Sequence, residues 1–353
     1  MEREQIFTDR PTKSLWDRLS TLTIKDLIVR LICNNLDPEK YRAKKHLVEE
    51  KAEGIAYCVD NALDYFAVMD QEINLTVSLL SYYYGTFSFF MALLLKNMAK
   101  DYTLKRIEKI CEYGHGLANI ESSSEEFPDN QKLYFLCGGF LSEYLDAYGT
   151  NIKKFCFQRR HHSYEKINPE EQGKLISFSE VISRIPELES VYLEVFGKRP
   201  EYFAYKKYST YKQGVIIEVP TPVNPKLTTD DIKRVLPYST EIVKEGSVFR
   251  VIVENEEALK KNTYHSPIIR PHIYYIKPLR EGLTNDILLI HFMCLYELSI
   301  IVRYKPVLWN DILQERYETY YPLIRNYLSI AGRVIANIFL NYMYDREFEF
   351  IIT

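Results

Sequence analysis

Glycine is scarce in this chain, at 13 of 353 residues, and proline is little commoner at 15. So few residues suited to positive φ disfavour glycine-rich phosphate loops and all-β folds built on many tight turns. Short-spaced cysteine pairs are absent: Cys33, Cys58, Cys111, Cys137, Cys156 and Cys294 are scattered, which excludes the common zinc and CxxC redox patterns. An excess of one charge is also missing. The 45 Lys plus Arg stand against 48 Asp plus Glu, a net charge of −3, which excludes a strongly basic whole-chain nucleic-acid binder and a long acidic tail. The first residues are polar and charged with no apolar segment, so no secretory signal is predicted. Together with the cysteine usage this predicts a cytoplasmic protein.

What is abundant is aromatic: 29 Tyr and 18 Phe within a hydrophobic share of 46% and a charged share of 26%. That composition suits a globular protein of helices packed through rings, and the length allows two or three domains. Helical periodicity fills the first half: residues 23–36, then 39–70 with Ala56, Val59, Ala62, Leu63, Phe66 and Ala67 on one face, then 73–95, then 104–113. Residues 73–95 carry no charge and are long enough to span a bilayer. They also hold Asn74, Thr76, Ser78, Ser81, Thr86, Ser88 and Tyr82 to Tyr84, so a buried central helix, not a membrane span, is predicted. Residues 121–130 read as a polar surface loop. Ser177 and Glu180 form a capping-box pattern before a short helix, and a second helix ends at Gly197.

Alternation then replaces the helical period, with strands predicted at 214–219, 247–253 and 271–276. Thr284 is the predicted cap of an apolar helix with Asp286 in its first turn, and a final helix runs over 322–344. The expected fold is mainly α, in the α+β class: a helical bundle with a small three-stranded antiparallel β insert. The expected regions are 1–197 (helical), 198–280 (insert) and 281–353 (C-terminal helices packing on the helical body).

Several stretches, in their order and spacing, carry a family likeness: LLSYYYG at 79–85 with MALLL at 91–95, GHGL at 114–117, IPEL at 185–188, and LSIIVRYKP at 298–306 followed by Trp309. Over residues 56–343 the sequence resembles the YaaC-like bacterial proteins. The resemblance implies a bacterial cytosolic protein and assigns no chemistry. Residues 39–118 also look like the HEPN helical bundles, many of which are RNases of toxin and phage-defence systems. That second likeness implies an Arg followed by His about one turn of helix later. Of the seven histidines only His46 follows an arginine, Arg42, by four residues, and that pair lies in the polar run 40–51, which reads as a solvated helix face, so the nuclease signature is not found.

No Walker loop, GxSxG elbow, HExxH or dinucleotide fingerprint is present, and neither a metal site nor a cofactor is predicted. Two basic stretches stand out. Residues 153–162 (KKFCFQRRHH) and 198–212 (KRPEYFAYKKYSTYK) interleave cations with rings, the pattern by which phosphates are neutralised and bases stacked. The nucleic-acid candidates in the second are Lys198, Arg199, Tyr205, Lys206, Lys207, Tyr208 and Lys212; the bland alternative is a solvated linker. His115, between two glycines, reads first as a C-cap histidine facing helix carbonyls, and Arg303 as a cation at a helix C-terminus. If they share one pocket, His115, Arg303 and Arg159 or Arg160 bind an anionic ligand. The expected function is non-catalytic binding or regulation within a bacterial cytosolic complex, in stress or phage defence. The alternatives are a divergent HEPN-type RNase or nucleotide-processing enzyme, and a structural homodimer. The expected partner is a protein or a second copy of the chain, with RNA or a nucleotide as the other class, and no membrane.

Overall fold

The computed structural model describes residues 2–34, 37–67, 74–211, 214–221, 227–269, 273–283 and 285–353, and is mainly helical with several small sheets. Helix Pro38–Phe66 starts where Asp37 accepts the Glu39 amide at 2.8 Å, with proline in its first turn. It packs lengthwise on helix Leu75–Lys96, itself capped by Asn74. Helices Leu75–Lys96 and Ile287–Tyr304 are long and apolar enough to cross a bilayer, yet 67% and 78% of their apolar windows are buried inside the fold. Thr86 and Ser88 donate to the Tyr82 and Tyr84 carbonyls, so buried hydroxyls find partners within their own helix. Helix Tyr321–Tyr344 closes this core, with Phe89 stacked on Phe339 at 4.0 Å between ring centroids. Each such ring contributes on the order of 1.5–3 kcal/mol by its burial.

The insert contains the expected three-stranded antiparallel sheet, in the order Thr263–His265, Ile273–Ile276, Tyr202–Ala204. Beside it lies a four-stranded antiparallel sheet, Lys206–Tyr211, Gly214–Pro220, Val248–Val253, Ser239–Glu245. Two of the predicted strands therefore pair in the larger sheet and the third in the smaller. Phe203, Val215, Ile217, Val251 and Tyr275 belong to an apolar cluster of the insert's own.

The first half is less helical than its periodicity suggests. Leu117–Glu121 and Gln131–Leu136 pair antiparallel, flanked by Cys156–Phe157 and Ile176–Ser177. Leu133 to Leu136 are buried in succession, so no period-two pattern marks the strand. The loop between them is not wholly surface: Phe127 is buried, with its ring 5.1 Å from that of Tyr320. Glu2–Thr8 pairs parallel with Arg346–Ile352. That pairing is tied by Arg3 to Glu347 at 3.3 Å and Arg346 to Glu4 at 2.6 Å, polar contacts that hydrophobic patterning does not register. The Ser177–Glu180 capping box forms, and Gly197 ends helix Glu189–Phe196 at φ 60°. Thr284 lies outside the described residues; Asp286 caps helix Ile287–Tyr304 by accepting the Leu288 amide at 2.9 Å.

Candidate anion-binding site

The site begins at the turn after helix Leu104–Cys111. Gly114 and Gly116 take φ values of 86° and 82°, placing His115 between two left-handed residues. Helix Phe140–Ala147 then lends the turn its unpaired first amides: Phe140 N donates to Gly114 O and Leu141 N to His115 O, each at 3.0 Å. Gly139, at φ 99°, allows the approach, since a Cβ there would lie 2.6 Å from Gly114 O. The His115 ring lies 4.5 Å from the Phe87 ring and 5.7 Å from Tyr83, and its Nδ1 shares a hydrogen bond with the Tyr83 hydroxyl. This aromatic seat replaces the C-cap role read from sequence. Burial foremost, then the Arg303 and Arg160 charges, hold the His115 pKa below the ordinary value, so the ring is neutral near pH 7.

Arg303 reaches the same place from the end of helix Ile287–Tyr304. Its Nε donates to Ser299 O at 3.0 Å and Nη2 to Ser299 Oγ at 3.1 Å, which retains part of the helix-end role expected of it. Its guanidinium stands 5.8 Å from the Tyr83 ring centroid and 5.0 Å from that of Tyr304. His115 and Arg303 are thus bridged by one tyrosine. Arg160 arrives on the strap after Cys156–Phe157. That two-residue strand is anchored by Cys137 N donating to Phe157 O at 2.9 Å, by a Cys137–Cys156 disulfide, and by His161 N donating to the Tyr134 hydroxyl at 2.9 Å. Spacing along the chain does not reveal this bond, because the two cysteines are 19 residues apart. No carboxylate among the described residues lies within ion-pair distance of Arg159, Arg160 or Arg303.

These groups converge on a cavity of about 540 Å³ lined by His115, Asn119, Tyr134, Arg160, His161, His162, Tyr296, Arg303 and Tyr304. Arg159 is exposed and does not line it. Asn119 connects the wall to the interior by donating to both oxygens of buried Glu297 at 2.7 and 2.8 Å. Burial, opposed by the Lys305 charge and the Asn119 hydrogen bond, pushes the Glu297 carboxyl up to about 7. Cations without contacting carboxylates, beside phenol rings, suit an anion that also carries a flat group. Among the described residues no cluster of three or more His, Cys, Asp or Glu could hold a metal ion.

The 198–212 stretch does not form one groove. Tyr205, expected to stack on a base, is buried in the insert, with its amide donating to Ile273 O at 3.0 Å and its hydroxyl 2.6 Å from Thr263 Oγ1. Lys207 is ion-paired with Glu256 at 3.0 Å, and Lys206 is exposed on the edge strand Lys206–Tyr211. Lys198 and Arg199 face a different cavity. Lys212 and the Tyr208 side chain lie outside the described residues. Sequence reasoning missed Asn119, Tyr134 and Tyr296 as site residues, whereas Tyr83 and Tyr304 lie in the LLSYYYG and LSIIVRYKP stretches and His161 and His162 in the basic run 153–162. Three of the stretches bearing the family likeness supply Tyr83, His115 and Arg303 to this one place.

No curated protein and no solved structure matches the chain. A family model described as YaaC-like Protein matches residues 26–343, from helix Lys25–Cys33 to the end of helix Tyr321–Tyr344. The match does not show the HEPN likeness. The match takes in every residue lining the cavity, and the chain belongs to the YaaC-like family.

Proposed function

We propose that the protein binds a phosphate-bearing ligand of the nucleotide class in the His115–Arg160–Arg303 cavity, as a binding or regulatory component of a bacterial cytosolic complex in stress or phage defence. The observation that carries the reading is the meeting of two arginines without contacting carboxylates and three tyrosines on one cavity. Guanidinium groups take phosphate oxygens, and the exposed Tyr304 ring offers a face to a base, while buried Tyr134 and Tyr296 belong to the wall. Exposed Tyr304 at the cavity, and exposed Val307 three residues on, give a protein partner, or a second copy of this chain, an apolar contact. The test is a fluorescence-anisotropy titration with labelled mononucleotides and a short single-stranded RNA at two salt concentrations. Arg303→Ala and Arg160→Ala are each expected to weaken binding at least about tenfold and to flatten the salt slope by about 0.7 for every phosphate no longer neutralised. No binding by the unmodified protein at low salt removes the reading.

A second reading, phosphodiester or nucleotide chemistry of divergent HEPN type, is favoured by His115 itself. A neutral imidazole held by Tyr83 beside two arginines has the make-up of a general base next to phosphate-binding cations. Cleavage of RNA or nucleotides that disappears in His115→Ala places catalysis first; binding without turnover leaves regulation first.

A further inference from the structure

A second polar cavity, of about 440 Å³, lies where the helical body meets the insert. Arg184 follows helix Phe178–Ile182 there, Lys198 and Arg199 follow the Gly197 turn, Arg234 comes from helix Thr229–Val235, and Lys277 follows strand Ile273–Ile276. The carboxylates at this cavity are already engaged. Glu201 is bonded by Arg234 and lies 3.1 Å from Lys277, while Asp231 accepts from Thr228 and lies 3.6 Å from Arg234. Glu180 is held at 2.8 Å by Arg280, which does not line the cavity. Arg184 spends its donors on the carbonyls of Lys277, Glu180 and Pro278, so its charge meets no contacting carboxylate.

Arg199 is the telling residue. Its side chain is only 11% exposed, and its nearest carboxylate, Glu189, stands 3.8 Å away at Nη1. Nε and Nη2 are buried with no acceptor. A guanidinium carries five donors in a planar fork, and buried donors are almost always paired. Lys198, exposed and 5.7 Å from the Phe196 ring, stands at the rim. Tyr192 is the lone aromatic among the described residues lining the cavity, so the site suits a small oxyanion and not a stacked base.

We propose that this cavity is a second anion site, independent of the first, which takes a phosphate group, free or as a small phosphomonoester, on the Arg199 fork with Lys198 closing over it. An anion there places its charge between the 198–199 turn and the Arg184 charge of the body, drawing insert and body together. The test uses the full chain carrying Arg160→Ala and Arg303→Ala, which removes the first site. Thermal melting is followed in phosphate, in glycerol 3-phosphate and in chloride at matched ionic strength. Both phosphates should raise the melting temperature above the chloride value; a rise with inorganic phosphate alone identifies the free ion, and a larger rise with the ester identifies the ester. Arg199→Gln on that background should abolish the rise. Because Arg199 is mostly buried, Lys198→Glu at the exposed rim is the second variant, expected to raise the phosphate Kd at least about tenfold without lowering the melting temperature in chloride. A rise that survives both changes, or no rise in the Arg160→Ala, Arg303→Ala protein, overturns the proposal. Nucleotide binding at the first cavity should be unchanged by Lys198→Glu, so the two sites fail or stand separately.

Discussion

Replacing Glu297 by Gln should change how stability depends on pH, and the structure sets the size of the change. The Glu297 side chain is fully buried, and its pKa rises from 4.5 to about 7 through desolvation. A carboxyl whose folded pKa exceeds its unfolded value holds its proton more tightly when folded. Its contribution is complete below about pH 4.5 and is lost as pH rises through about 7, a total of roughly 3 kcal/mol. Gln keeps the shape and an oxygen for the Asn119 amide but has no proton to lose. The stability of the Gln variant minus that of the unmodified protein should therefore grow with pH, by about 3 kcal/mol between pH 4.5 and 7.5. Other titrating groups cancel in that difference. His291 would otherwise mask it: this buried imidazole, whose pKa falls to about 3, gives stability that is present above about 6.5 and lost as pH falls. In the unmodified protein the two slopes oppose each other between pH 4.5 and 6.5. Urea denaturation at half-unit intervals measures both, and His291→Phe, which retains the stacking on Tyr327, should leave the Glu297 slope exposed. A difference between Glu297→Gln and the unmodified protein that does not vary with pH refutes the reasoning.

Gly139→Ala should cost more than about 2 kcal/mol, because it adds a clash with Gly114 O to the positive-φ penalty, and should weaken nucleotide binding by moving His115. Gly149→Ala, at φ 84° in open space, should cost only about 1–2 kcal/mol; equal melting temperatures for the two variants would contradict the packing account. Cys137→Ser opens a 19-residue loop and should lower stability by about 3 kcal/mol, as should reductant on the unmodified protein, measured by urea denaturation. Thiol alkylation in freshly lysed cells reads the state of that bond in place, and a closed bond would argue against the cytoplasmic compartment proposed from cysteine usage.

Helices, caps and three of the insert's strands were legible because their causes are local, whereas Tyr202–Ala204, Lys206–Tyr211, Ser239–Glu245 and Thr263–His265 were not read as strands. A helical stripe, a capping box or an alternating strand is written within a few consecutive residues, as at 39–66, Ser177 to Glu180 and 214–219. Where both faces of a strand are buried, as at Leu133 to Leu136, local pattern carries no mark; Arg346–Ile352 does alternate, with Phe348 and Phe350 buried, but its partner Glu2–Thr8 lies at the other end of the sequence. His115, Arg160 and Arg303 could be singled out one by one from glycine flanks, a basic run and a helix end. Their meeting could not, since it depends on Gly139 letting two turns touch, on Tyr83 bridging from another helix, and on a disulfide fixing the Arg160 strap. The same long-range packing turned Tyr205 inward and gave Arg199 a buried seat. Residue types and local structure are properties of neighbours along the chain, whereas a site is a property of neighbours in space.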